Sequence, residues 1–273
     1  MKSKYDIKWH EELDSTNNEA LRAAAGLENM SVIAAEYQSS GRGQRGNAWK
    51  SDKGENLTFS ILLRFQNDGP ETNSGGLLPP VRAAGQFRIS EAAAAAQCTL
   101  LERHGIPSEI KWPNDIYAGD RKISGMLVEN SLSGSFLSTS VVGIGLNVNQ
   151  LSFPPDLPNP TSMAVITGKR YNIRTLLEEF MEIFCGHIVM PDDRLRKIYL
   201  SRLYRMGQEA LFADLSGRPA YLPANALVNG HEDSVGKYFS GTICGVSSEG
   251  LLLVRLRDGS VKKFNFKEIA YVI

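Results

Sequence analysis

Ile123-Ser124-Gly125-Met126-Leu127-Val128-Glu129-Asn130 is followed, after a short break, by Leu137-Ser138-Thr139-Ser140-Val141-Val142-Gly143-Ile144-Gly145-Leu146. Both runs are rich in Val, Ile and Leu and bounded by Gly, Asn or Asp, so each predicts a β-strand, over 123–130 and 137–146. Working outward, similar runs predict strands over Ser31 to Glu36, Leu57 to Phe65 and Ser108 to Lys111. Helical patterns fall among them without the regular spacing of βαβ units. That mixture predicts an α+β fold, a mixed sheet flanked by helices, and not a doubly wound one.

The Ala-rich stretch from Phe87 to Arg103 predicts a helix, because alanine has the best propensity and Gly105 and Pro107 supply stop signals. Thr16 with Glu19 reads as a capping box opening a short helix that ends near Gly26; Thr175 with Glu178 opens another through Phe184. Gln66 to Pro80 and Ser152 to Pro160, rich in Gly, Pro, Asn and Asp, predict surface loops. Beyond about Met206 the pattern changes to short strands with turns at Ser248-Glu249-Gly250 and Asp258-Gly259, which predicts a small β-barrel.

The 273 residues are 42% hydrophobic, enough for a sizeable core. Thirty basic and thirty acidic side chains cancel, so no global field draws the chain to nucleic acid or anionic lipid. Cys98, Cys185 and Cys244 are odd in number and far apart, which argues against a disulfide framework or a zinc site and for a reduced, cytoplasmic protein. Neither an export signal nor a stretch of 18 apolar residues is present, so no membrane partner is expected. His10, His104, His187 and His231 are scattered and read as non-catalytic, and no metal-ligand cluster is predicted.

Chemistry concentrates in three other segments. Gly41-Arg42-Gly43-Gln44-Arg45-Gly46-Asn47-Ala48-Trp49 puts guanidinium groups on a backbone stripped by glycine, a loop able to wrap an anion. Lys111-Trp112-Pro113-Asn114-Asp115 leaves its strand sharply at Pro113 and exposes Asn114 and Asp115, with Lys122 following the turn at Gly119-Asp120. The third, Gly143-Ile144-Gly145-Leu146-Asn147, is a glycine-marked strand end.

In this order the three segments resemble the biotin protein ligases, from Ser15 to the C-terminus. The resemblance implies a catalytic core like that of class II aminoacyl-tRNA synthetases over 1–205 and an SH3-like barrel over 206–273, the latter either completing the core or helping to recognise ATP or the carrier protein. It implies an ATP-dependent ligase that makes biotinyl-5′-AMP from biotin and ATP with Mg2+ and passes biotin to one lysine of a biotin carboxyl carrier protein. Ser15, Thr16, Asn17 and Gln38 then clamp the ureido ring, although Thr16 reads equally as a helix N-cap. Gly41, Arg42, Gln44, Lys122, Gly125, Gly143 and Gly145 line the rest of the biotin site, with Gly143 and Gly145 leaving room for ring and chain. Arg45, Trp49, Asn114 and Asn147 face the adenylate, and Arg42, Lys122 and Asp115 carry the catalysis, Asp115 as proton acceptor or orienter of magnesium. Trp112 is weighted toward the core. The family more often has arginine where Gln44 stands, which predicts weaker retention of the adenylate.

A lipoate or octanoate ligase or transferase is the neighbouring enzyme reading, disfavoured by Ser15, Asn17 and Gln38. A biotin-binding protein without turnover is the third. Fourteen residues precede Ser15, too few for a helix-turn-helix, so no DNA partner is expected. A homodimer through an exposed sheet edge is compatible with the sequence.

Overall fold

Valine, isoleucine and leucine make the centre of the fold a seven-stranded sheet, whose strands lie in the order 7–13, 31–38, 57–64, 136–146, 121–133, 115–118, 109–111. The computed structural model describes residues 5–66, 77–216, 238–266 and 268–272, without the side chain of Arg45. It forms two units, Met1–Arg202 and Leu203–Ile273. In the first, β1 (Ile7–Leu13) runs parallel to β2 (Ser31–Gln38), and every other pairing is antiparallel, through β3 (Leu57–Arg64), β4 (Glu109–Lys111), β5 (Asp115–Ala118), β6 (Arg121–Ser133) and β7 (Phe136–Leu146). The expected mixed sheet is present.

Opposed residues on neighbouring strands share a face, so register sorts the sheet into two sides. One carries Phe59, Ile61, Val142, Ile144 and Met126 and is covered by α2 (Phe87–Arg103) and α4 (Ile173–Ile188). Alanines 92 to 96 are fully buried, which brings α2 close, and Phe180 of α4 meets Phe59 edge-on at 5.2 Å. Gln97 of α2 reaches the sheet, with Nε2 against Met126 Sδ and Oε1 accepting from the Ser124 hydroxyl. The opposite side is covered at one end by α1 (Thr16–Arg22), where Ala20, Leu27, Ile33, Leu62 and Val141 form a small apolar cluster. The rest of that side is the candidate site.

Several local expectations need correction. The cap of α1 is Ser15, whose hydroxyl faces Asn18 N, and not Thr16. Likewise α4 is capped by Asn172, whose side chain accepts from Arg174 N and Thr175 N, and it runs past Phe184 to Ile188. An asparagine one turn earlier competed successfully for the same orphan N–H groups. Strands β1 and β5, helix α3 (Met163–Thr167) and helix α5 (Asp192–Ser201) were not anticipated. β1 is an edge strand with exposed charges, and α5 buries only Leu195 and Tyr199, so neither carries a strong apolar period. Of the loop predicted from Gln66 to Pro80, residues 67–76 lie outside the described residues.

The second unit is an antiparallel sheet of order β11-β10-β9-β8-β12, from β8 (Glu209–Asp214), β9 (Tyr238–Val246), β10 (Leu252–Leu256), β11 (Val261–Phe264) and β12 (Ile269–Tyr271). Gly259 at φ 85° closes the β10–β11 hairpin, as its dipeptide predicts. The small antiparallel sheet is consistent with the expected SH3-like domain, and among the described residues no pairing joins β11 to β12 to close it as a barrel. Its β11 edge carries exposed Lys262 and Lys263, which blunt further strand addition.

Burial pushes the Cys98 thiol up to about 11, because the thiolate loses its solvation. Since the thiolate is the reactive form, maleimide at about pH 8 is expected to modify Cys98 only after denaturation. Peptide mass mapping of native and unfolded protein checks this.

Candidate active site

Three rows of the sheet's open side explain the site. The first runs Ser31, Leu62, Val141, Glu129; the second Ile33, Ser60, Gly143, Leu127; the third Ala35, Thr58, Gly145, Gly125, Asp115. Side-chain volume falls away from the α1 end, and the third row is stripped to alanine, threonine and two glycines before it reaches Asp115. A concave floor results without any break in the strand ladder.

Polar side chains stand over this floor. Asn17 of α1 lies on Gly143, where a Cβ would fall 2.8 Å from Asn17 Cγ. The Trp49 indole lies on Gly145, where a Cβ would fall 2.6 Å from Cζ2. The two glycines therefore make room for two side chains that were themselves expected at the site, Asn17 and Trp49. Over Gly125, Lys122 Nζ pairs with Asp115 Oδ1 at 2.7 Å and stands 5.9 Å from the Trp49 ring centroid. Buried Trp49 Nε1 has no hydrogen-bond partner among the described residues, a donor that a ligand acceptor would satisfy.

The Gly-Arg loop is a tight hairpin, closed by an antiparallel bridge between Arg42 and Ala48 and by Trp49 N donating to Gly41 O at 2.8 Å. Gly41 is buried, and a Cβ there would lie 3.1 Å from Gln38 Nε2. Arg42 reaches across the floor to Glu129, with its two terminal nitrogens 2.8 and 3.1 Å from Oε1 and Oε2, and one of them also donates to Asn18 Oδ1 at 2.8 Å. Gln44 opens a single 3-10 turn, Gln44–Gly46, and its side chain makes no hydrogen bond among the described residues. The Arg45 side chain lies outside them.

The predicted clamp comes together. Gln38 Oε1 accepts from Thr16 N at 2.8 Å and faces the Thr16 hydroxyl at 3.1 Å. Ser60, which the sequence reading missed, links Thr16 Oγ1 at 2.8 Å to Asn17 Oδ1 at 2.6 Å. Ser15, Thr16 and Asn17 are all at most 4% exposed.

Two of the residues expected at the adenylate also have structural partners. Asn114 Nδ2 donates to Met126 O at 2.8 Å, holding the turn that follows the cis Trp112-Pro113 peptide against β6. Asn147, buried, donates to Thr161 O at 2.9 Å and fixes the return of the 150–161 loop beside Lys122, whose backbone pairs with Asn159 and Thr161. Trp112 is core, as weighted.

The site is thus a mixed-sheet face floored by glycine, with Lys122 and Arg42 above it. The sequence pattern of the biotin/lipoate A/B protein ligase family matches residues 9–147, and the chain belongs to that family. It is 30% identical to a biotin–[acetyl-CoA-carboxylase] ligase of Paracoccus denitrificans over 81% of this chain and 88% of that one. Over 94% of its length it is 26% identical to the bifunctional ligase/repressor BirA of Bacillus subtilis, of which it covers 71%. Its fold is similar to that of a biotin protein ligase from Aquifex aeolicus solved with biotin and ATP, with a TM-score of 0.69, 23% identity and 97% of each chain covered.

Proposed function

We propose that this chain is an ATP-dependent biotin protein ligase. The observation that carries the reading is the third row: a floor of Thr58, Gly145 and Gly125 that ends at Asp115, with Lys122, Trp49 and the Arg42 loop above it and the Ser15–Asn17 and Gln38 clamp beside it. A bicyclic ring with a carboxylated chain fits this arrangement, with the small polar head at the clamp and the carboxylate toward Lys122.

Two anions must meet for the first step. A biotin carboxylate oxygen attacks the α-phosphorus of ATP, the bond from that phosphorus to the bridging oxygen breaks, and pyrophosphate leaves. Lys122 and Arg42 lower the repulsion, and Asp115 keeps the Lys122 ammonium aimed over Gly125. The Trp49 Nε1–H is a donor for a carboxylate or phosphate oxygen. In the second step a neutral lysine amine of the carrier attacks the acyl carbon, AMP leaves, and the amine proton passes to solvent or to Asp115. Magnesium is held by one or two carboxylates with substrate phosphates, so it would arrive with ATP, and Asp115 is the carboxylate at hand. The reading needs neither DNA nor a lipid surface, and the free thiols of Cys98, Cys185 and Cys244 fit a reduced, cytoplasmic setting. Among the described residues no helix is long and apolar enough to cross a membrane.

Transfer tests the whole proposal. With biotin, ATP, magnesium and an apo biotin carboxyl carrier domain, the intact mass of the carrier is expected to rise by one biotinyl group, and a carrier with its target lysine changed to arginine is expected to stay unmodified. Lipoylation of a lipoyl domain when lipoate replaces biotin, with no biotinylation in the first mixture, would move the chain to the sister activity. For Gln44→Arg, one charge-assisted hydrogen bond added near the intermediate is expected to slow its escape by about tenfold or more. Release of biotinyl-AMP in the absence of carrier measures it.

A further inference from the structure

Glu129 belongs to none of the predicted groups, yet it stands at the end of the first row with three hydrogen bonds to site residues. Its Oε2 accepts from Asn17 Nδ2 at 2.8 Å and from Arg42 at 3.1 Å, and its Oε1 accepts from Arg42 at 2.8 Å. A carboxylate only accepts, so the Asn17 amide must turn its NH2 to Glu129 and its carbonyl oxygen toward Gly143 and Ser60. Ser60, with one proton, then donates to Asn17, and Thr16 Oγ1 stands behind it. At the other end the Thr16 N–H fixes Gln38 Oε1, leaving the Gln38 NH2 near Gly41. Every amide of the clamp thus has one orientation, set by a fixed charge at one end and a backbone donor at the other.

Asn17 Oδ1 has two acceptor positions and Ser60 takes one. The second would accept from an N–H of a head group held at the proposed clamp. We infer that Glu129 is a positioning residue: it holds Asn17 with its carbonyl oxygen toward the floor and Arg42 across it, so that the cleft selects a head group that offers an N–H donor. Neutral glutamine at 129 can turn its own amide either way, and Asn17 is then free to flip and Arg42 free to leave. The inference rests on the proposed biotin reading of the cleft.

Calorimetric binding of four ligands to wild type and Glu129→Gln tests it: biotin, desthiobiotin, and two lactam analogues in which a methylene replaces one or the other ureido N–H. Thermal melting of both proteins keeps loss of fold apart from loss of binding. In wild type, one lactam is expected to bind at least about tenfold more weakly than biotin, because a buried acceptor is left unpaired. Glu129→Gln is expected to weaken biotin by about tenfold while shrinking the penalty for that lactam to about threefold or less. The ratio of desthiobiotin to biotin, which share the intact urea, is expected to stay unchanged. A purely structural role for Glu129 would lower all four affinities by one factor and leave the lactam ratio as in wild type; that result, or an unchanged biotin affinity, overturns the inference. Failure of wild type to bind biotin would instead sink the functional reading on which it rests.

Discussion

Lys122→Ala is expected to slow biotin-dependent adenylate formation by about 10²- to 10³-fold, the usual loss when a donor aimed at developing charge is removed. The reason lies in the placement of the ammonium. Its Cε and Nζ are 3.2 and 3.3 Å from where a Gly125 Cβ would be, so the charge hangs over the floor and not off its rim. Removing it also leaves Asp115, 2.7 Å away, as an uncompensated anion where a carboxylate and a phosphate must approach each other. Both side chains are partly exposed, so the fold is expected to survive and melting to change little. Lys122→Arg keeps the charge but cannot keep the same point of attachment over Gly125, and an intermediate rate is expected. Single-turnover formation of biotinyl-AMP measures each variant, and an unchanged rate in Lys122→Ala would remove the residue from the site.

Gly143→Ala is expected to cost both stability and ligand affinity, through one contact. The added methyl would fall 2.8 Å from Asn17 Cγ and 3.2 Å from Nδ2, deeper than van der Waals contact allows. Asn17 is 3% exposed and tied to Ser60 and Glu129, so it cannot swing away without leaving those partners unpaired. Overpacking of this kind costs about 1–3 kcal/mol, a fall in melting temperature of roughly 2–4 °C for each kcal/mol in a unit of this size. Biotin affinity is expected to drop by at least tenfold, since a displaced acceptor costs about 1–3 kcal/mol. The double variant Gly143→Ala with Asn17→Ser relieves the overlap and is expected to regain melting temperature without regaining biotin affinity. Recovery of both would mean that Asn17 does not touch ligand.

The legible parts of the fold were those written in a single strong signal. Five strands and the helix over 87–103 were plain from apolar runs and alanine, and the three motif segments were legible because the resemblance fixes their order. The sequence was silent where the deciding partner is far along the chain. Ser60 reads as an interruption in an apolar strand, and only the register that sets it beside Gly143 shows it linking Thr16 to Asn17. Glu129 reads as the polar end of a strand; alternation alone puts it on the face of Gly125 and Leu127, but its meeting with Arg42 depends on a hairpin 87 residues earlier. The same limit holds for Gly143 and Gly145, over which the fold places Asn17 and Trp49. A sequence shows that space is made at a glycine, and the fold decides whether a ligand or a neighbouring side chain fills it. The caps of α1 and α4 failed for a local reason, because Ser15 and Asn172 offered the same chemistry a few residues upstream.

The central claim is that the glycine-floored face of this sheet activates biotin as an acyl-adenylate. Biotin-dependent exchange of labelled pyrophosphate into ATP, run on purified protein with magnesium beside lipoate and octanoate, tests it most directly. Exchange is expected with biotin, and background with lipoate and octanoate. Exchange with lipoate or octanoate and not with biotin would contradict it, as would no exchange with any acid from a protein that still binds biotin tightly.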